Sequence, residues 1–234
     1  MLSQMVLNHE MEMAKMDNRT RRDRGMAYVA DEEVFLEMAE TRRKIQEFNR
    51  TDAGDLDSLR KLAYKLLGRA GRNLMITPPF FCDYGTHSEV GDNFFANYGC
   101  TILDVAKVEI GDNVFFAPHV SIYTAGHPIH PDSRNSMYEY GLPVKIGGNT
   151  WIGGNVVIVP GVTIGEGCVI GAGSVVTRDV PPFSVAAGNP CRVIRAITDD
   201  DRKYYCGRRE FDPEAWRVVC EKMNSEKRKS GSEK

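Results

Sequence analysis

The chain has 234 residues, 42% hydrophobic and 26% charged, so it can bury a substantial core. A formal net charge of −2 supplies no positive field to draw it to nucleic acid or an anionic membrane surface. No stretch is long and apolar enough to span a membrane, and the six cysteines include no CxxC pair, so a reduced, cytoplasmic protein is expected.

Residues 1–24 are Met-rich and polar, with Glu10, Glu12 and Asp17 among the basic residues. They lack the apolar core of a secretory signal, and their acids argue against a transit peptide. A disordered or weakly helical extension is expected, with at most a marginal amphipathic turn around Met13 and Met16. From 25 to 73 the pattern is helical. Asp31 is placed to cap a first helix whose apolar side holds Val34, Met38, Ile45 and Phe48. A second helix, about 55–67, carries Leu59, Leu62, Ala63, Leu66 and Leu67 and stops at Gly68 and Gly71. This pair is too small to form a core alone and must dock on something.

From 74 to 198 the period becomes six. The clearest run opens its steps on Ile146, Ile152, Ile158, Ile164, Ile170 and Val176. Gly follows at 147, 153, 165 and 171, and the fifth positions are small or β-branched: Thr150, Val156, Val162, Cys168, Ser174 and Val180. A six-residue period of this composition predicts a mainly β fold, a parallel β-helix of short strands meeting at tight corners. Three steps make one triangular coil, so residues 18 apart should stack at roughly the 4.8 Å strand spacing. Earlier steps open on Val90, Ala96, Ile102, Ile110, Phe116 and Ile122, and the step of eight between 102 and 110 requires two residues to bulge outward. Between Ile122 and Ile146 the repeat lapses into a polar, Pro-rich protruding loop, 124–145. A long loop on a rigid solenoid marks a functional candidate. Residues 199–234 should hold a short helix at 212–223, and the charged residues from Glu221 onward should be solvated and disordered.

No P-loop, GxSxG elbow or zinc-finger spacing is present, which leaves the histidines and the coil corners as candidates. His127 lies in the loop between Gly126 and Pro128. An imidazole with a pKa near ~6.5, held by a rigid scaffold, suits proton abstraction from a hydroxyl near neutral pH. His119, His127 and His130 could instead ligate a metal, although their spacing matches no metal motif. Gly154 and Ala172 are 18 apart and should stack as a row of small residues that leaves a groove for an extended ligand. Thr177, Arg178, Arg192 and Arg195 gather hydroxyl and positive charge suited to phosphates.

The segments FCDYG (81–85), FFANYGCTILD (94–104), IGDNVFFAP (110–118), YTAGHPI (123–129), WIGG (151–154) and AAGNPCRVIR (186–195) resemble the maltose/galactoside O-acetyltransferase family of hexapeptide-repeat acyltransferases. The match covers about residues 25–198, including the helical preface. The resemblance implies a left-handed β-helix, a homotrimer, acetyl-coenzyme A as acetyl donor, a sugar hydroxyl as acceptor and no required metal. By position it implies His127 as catalytic base and Asn97, Asp104, Asp83 and, more weakly, Asp31 as acceptor contacts. Gly154, Ala172, Thr177, Arg178, Arg192 and Arg195 fall at coenzyme A positions. Gly154 stands where the galactoside enzyme has Ser, and Arg178 where Lys is usual. Two other functions fit the same scaffold: a metal-dependent hydrase using interface histidines, and a non-catalytic assembly element.

Overall fold

The structure, a computed structural model, describes residues 16–231. Hexapeptide steps put two side chains of every six inward, and the strands they form are only two or three residues long. Such strands persist because each pairs in parallel with the coil above and below. Three sheets result, one for each side of the solenoid. The first side is built from Phe81–Cys82, Thr101–Leu103, Ser121–Tyr123, Val157–Ile158 and Val175–Val176. The second holds Arg69–Ala70, Ser88–Val90, Val108–Ile110, Val144–Ile146 and Thr163–Ile164. The third runs through Met75–Ile76, Phe95–Ala96, Phe115–Phe116, Trp151–Ile152, Val169–Ile170, Ser184–Ala187 and Arg192–Ala196.

The late coils repeat as expected: Trp151 pairs with Val169 and Val157 with Val175, each 18 residues on. The early coils do not. Met75 pairs with Phe95, Phe81 with Thr101 and Ser88 with Val108, a step of 20. The extra residues all leave at the corner between the first and second sides. There the chain takes eight residues from Cys82 to Val90 and from Ile102 to Ile110, against six from Ile158 to Ile164. The long loop leaves at this same corner one coil later, so Ser121 pairs with Val157 across it.

The repeat openers Ile146, Ile152, Ile158, Ile164, Ile170 and Val176 are buried, and so are the fifth-position residues Thr150, Val156, Val162, Cys168 and Ser174. Cys100 and Cys168 fill the same interior, and burial pushes both thiols above their ordinary range, as expected of cysteines acting as small hydrophobes. At the corner between the second and third sides a vertical row of amides ties the coils together. Asn73 donates to Asn93 (2.8 Å), Asn93 to Asn113 (2.7 Å) and Asn113 to Asn149 (3.0 Å). Each of these corners is left-handed, with φ of 59°, 58°, 55° and 59°. Asparagine tolerates that conformation, and its amide donates upward while accepting from below.

Helices α1 (Asn18–Asp23), α2 (Glu32–Arg50) and α3 (Leu56–Leu66) precede the coils. Asp31 and Asp55 cap the latter two by accepting from Val34 N and Ser58 N. The apolar side of α2 is divided between two cores. Ile45 and Phe48 join Leu59, Ala63 and Leu66 of α3 against Leu74, Ile76 and Phe80, closing the open end of the solenoid. Val34 and Met38 pack with Tyr28, Tyr84 and Val105 in a second cluster. Asn49 fixes the arrangement by exchanging two hydrogen bonds with the Phe80 backbone.

The N-terminal extension, expected to be disordered or weakly helical, is helical in part, and the C-terminal expectation needs correction. Residues 18–23 are helical, because Asn18 is tied to Asp31 (2.9 Å) and to Val29 N (3.0 Å), while Arg22 pairs with Glu37 (2.8 Å). Residues 1–15, including Met13, lie outside the described residues. At the other end helix Pro213–Gly231 runs through the stretch expected to be disordered. Residues 196–234 form a separate unit. In it the hairpin Tyr204–Cys206/Arg209–Glu210 packs Tyr205 on Phe211, and Phe211 stacks on Trp216. Among the described residues no helix is long and apolar enough to cross a membrane.

The amide row makes a direct prediction. Asn113→Ala removes two ladder bonds and leaves a Cβ residue in a left-handed corner, so urea unfolding should show a loss of about 1–2 kcal/mol. Asn113→Gly relieves the backbone component alone and should fall between the two.

Candidate active site

The widened corner is lined with polar groups, and Asp104 organises them. One carboxylate oxygen accepts from Asp83 N (3.2 Å) and Tyr84 N (2.9 Å), and the other from Ser88 Oγ (2.9 Å). The Asp104 carbonyl bonds His87 Nδ1 at 2.8 Å, and the His87 ring stacks on Tyr84. The Arg22 guanidinium lies over the Tyr84 ring, 4.5 Å from its centre. Asp104 is 0% exposed, and its carboxylate holds the turn that carries Asp83. Asp31 is occupied in the same way, since its carboxylate caps α2 and receives Asn18.

The excursion is more ordered than a loop. Ala125–Gly126 and Tyr138–Gly141 pair antiparallel, and Tyr28–Val29 from the N-terminal segment adds a third strand by pairing with Tyr138 and Glu139. A short helix, α4 (Pro131–Asn135), closes the far end. The Tyr140 ring occupies the space a side chain at Gly126 would need, which explains glycine there. His127 follows directly. Its Nδ1 lies 3.4 Å from the Tyr138 carbonyl and its Nε2 lies 4.0 Å from the Glu139 carboxylate. The side chain is 56% exposed, so the ring is held at the root of the ribbon yet open to a ligand.

Asp83 is half-buried beside these groups. Burial pushes its carboxyl up to about 6, the nearby Asp104 and Glu139 carboxylates add to the rise, and Arg42 opposes it. The excursion thus faces a patch where negative charge is crowded. Among the described residues of one chain no three His, Cys, Asp or Glu side chains are grouped to hold a metal ion.

The remaining candidates lie elsewhere on the solenoid. Asn97 follows Phe95–Ala96, at the corner between the third and first sides, a full face away from Asp104. It borders a cavity of about 390 Å³ lined by Phe95, Phe115, Ala117 and Trp151. Gly154 and Ala172 stand on that same edge in successive coils, in line with the pairing of Ile152 and Ile170. A side chain at 154 would come only within 3.3 Å of the Pro118 carbonyl, whereas one at Gly153 would strike the Ala172 backbone at 2.6 Å. Thr177 and Arg178 are exposed at the last turn of the first-to-second corner. The strand with Arg192 and Arg195 is brought near them by Cys191 N bonding Val175 O at 2.8 Å. One chain therefore brings His127, Asp83 and Asp104 together on one edge, and Asn97, Gly154 and Ala172 on another.

Known proteins resemble this chain in both sequence and fold. Residues 143–178 match the family model described as bacterial transferase hexapeptide (six repeats). A putative acetyltransferase of Saccharomyces cerevisiae is 53% identical over 73% of this chain and 87% of its own length. The galactoside O-acetyltransferase of Escherichia coli is 47% identical over 68% of this chain and 78% of its own. This chain belongs to the maltose/galactoside O-acetyltransferase family. Two solved members of the family overlay closely. A maltose O-acetyltransferase from Clostridium difficile 630 has a TM-score of 0.77 at 49% identity, covering 79% of this chain and 99% of that one. A galactoside acetyltransferase in complex with coenzyme A has a TM-score of 0.82 at 40% identity, covering 85% and 100%.

Glu139 and Tyr28 are site neighbours that sequence reading did not single out. Nothing in Y-E-Y marks the middle residue until the ribbon turns it toward His127. The raised Asp83 carboxyl predicts a stability trend. Between the ordinary 3.8 and about 6 the folded chain keeps a proton that the unfolded chain releases, so stability falls as pH rises through this window and is level above it. Asp83→Asn should remove that slope, seen as a urea-midpoint advantage over the parent that grows with pH and levels off above pH ~6.

Proposed function

We propose that His127 is the general base of an acetyl transfer from acetyl-coenzyme A to a sugar hydroxyl, carried out in a site shared between copies of the chain. The reaction class comes with the family: this is an acetyl-coenzyme A-dependent O-acetyltransferase. The observation that carries the role of His127 is its setting, an exposed ring on a three-stranded ribbon, with a carbonyl near Nδ1 and a carboxylate near Nε2.

In this reading the imidazole takes the acceptor hydroxyl proton as that oxygen attacks the thioester carbonyl. The tetrahedral oxyanion forms near the Gly154 backbone N–H, and its collapse breaks the carbon–sulfur bond. The thiolate leaves with the proton from the imidazolium, so the charges balance without a covalent enzyme intermediate. Asn97 and Asp83 orient the sugar, and Asp104 acts by fixing the Asp83 turn. Gly154 and Ala172 let the pantetheine arm lie close to the backbone, while Thr177, Arg178, Arg192 and Arg195 receive the phosphates. The cytoplasm suits a chain whose six cysteines are all free.

A homotrimer accounts for the division of these residues between two edges. The third side presents a ladder of outward aromatic residues, with Phe95 over Phe115 and Phe115 over Trp151. Phe115 is 49% and Trp151 54% exposed, beside the Asn97 cavity. At the excursion Ile129 is 95% exposed and Met137 69%. An apolar tip and an apolar ladder left bare on one chain are complementary surfaces for copies of that chain. Threefold packing then sets the His127 edge of one copy against the Asn97 edge of the next.

His127→Ala should lower turnover by about 10²–10⁴, read as free thiol released from acetyl-coenzyme A, with its melting temperature unchanged. Near-full turnover in the folded variant would remove His127 as the base. Trp151→Glu should convert the trimer to monomer by sedimentation and abolish turnover with it; an active monomer would refute the shared site.

A further inference from the structure

We propose that Tyr28 is a positioning residue for the base, acting through Glu139, so that the N-terminal strand forms part of the catalytic apparatus. The proposal rests on the reading of His127 given above. Tyr28 and Glu139 are direct partners in the antiparallel ladder between Tyr28–Val29 and Tyr138–Gly141. Directly opposed residues project their side chains to one side of a sheet, so the phenol and the carboxylate share a side. Tyr28 is 0% exposed, and its hydroxyl is the one buried side-chain polar atom without a hydrogen-bond partner among the described residues. Leaving such a group unmatched is costly, and a conserved volume without the hydroxyl would be better served by Phe.

Burial holds the Tyr28 phenol far above its ordinary range, and the Glu139 carboxylate is the next cause of that rise. The phenol therefore stays protonated and can only donate toward Glu139. Glu139 in turn is the carboxylate 4.0 Å from His127 Nε2. A short movement that closes the Tyr28 contact would fix the Glu139 carboxylate against the ring as His127 becomes charged. The other charged or titratable groups facing this chain of contacts are Arg22 and Tyr84 on the phenol side and Asp83 on the carboxylate side. Arg22 is held by Glu37 and Asp23, and Asp83 is flanked by Asp104 and Arg42.

The test is Tyr28→Phe in the full chain, with Glu139→Gln and the double variant alongside. Donation from the phenol withdraws charge from Glu139, so its loss lets Glu139 hold a proton on His127 more firmly. The acid limb of kcat/KM should then move to higher pH. kcat should fall about tenfold, the scale of one hydrogen bond to a charged group, with KM for acetyl-coenzyme A unchanged. In the Glu139→Gln background the Tyr28→Phe change should have no further effect, which is the sign of coupling. A pH profile that overlays the parent, or equal losses in both backgrounds, would overturn the proposal. Should Tyr28→Phe not fold, fluorotyrosine at 28 keeps the shape and strengthens the donor; an acid limb that fails to move to lower pH would then overturn it. If His127→Ala keeps full activity the base assignment fails first, a result distinguishable from an inert Tyr28.

Discussion

A strand of two residues has no stability of its own, so every coil of this protein exists only because the next coil lands on it in register. The inward aliphatics and the vertical amide row from Asn73 to Asn149 enforce that landing on the sides and at one corner. A one-residue slip would turn each inward Ile or Val to solvent. Any extra chain must therefore leave at a corner and return before the next inward position. Here it always leaves between the first and second sides, as two residues in each of two early coils and as the whole excursion in the coil that follows. Irregular chain gathers on one edge, and that edge carries the proposed base.

The polar character of the edge follows from the same geometry. A wide turn over an apolar core leaves backbone N–H groups without ladder partners, and the buried Asp104 carboxylate satisfies those of Asp83 and Tyr84. Burial at that turn, with the Asp104 carboxylate beside it, disfavours ionisation of a second carboxylate, so Asp83 holds its proton toward pH 6. The excursion then adds Glu139 and His127, and the N-terminal strand adds Tyr28. A structural solution to unpaired amides thus sets the electrostatic setting of the proposed base.

The sides of the solenoid serve different environments. The second side carries alternating charges, with Arg69 on Glu89 (2.9 Å), Lys107 between Glu89 (3.3 Å) and Glu109 (2.7 Å), and Lys145 on Glu109 (2.9 Å). Exposed pairs of this kind add little stability, but they suit permanent contact with water. The third side presents Phe95, Phe115 and Trp151 in the same stacked arrangement. Identical backbone geometry therefore presents a charged ladder on one side and an aromatic ladder on another, and the difference lies wholly in which outward residues occupy it.

Sequence alone determined the solenoid, because a six-residue period of Ile, Val and Gly can bury its apolar positions in only one way, and each decision is local. The Asp31 cap, the docking helices and the bulge after Ile102 were legible for the same reason. The step of 20 in the early coils and the anchoring of Asn18–Asp23 were not, since they depend on contacts between distant segments. The candidate residues could be named from their types, but not their grouping. Only the tertiary structure buries Asp104 beneath Asp83, turns Glu139 toward His127, brings Tyr28 across more than a hundred residues and sets Asn97 on a different edge. These relations arise from strand pairing and corner geometry, which no single stretch of the chain encodes.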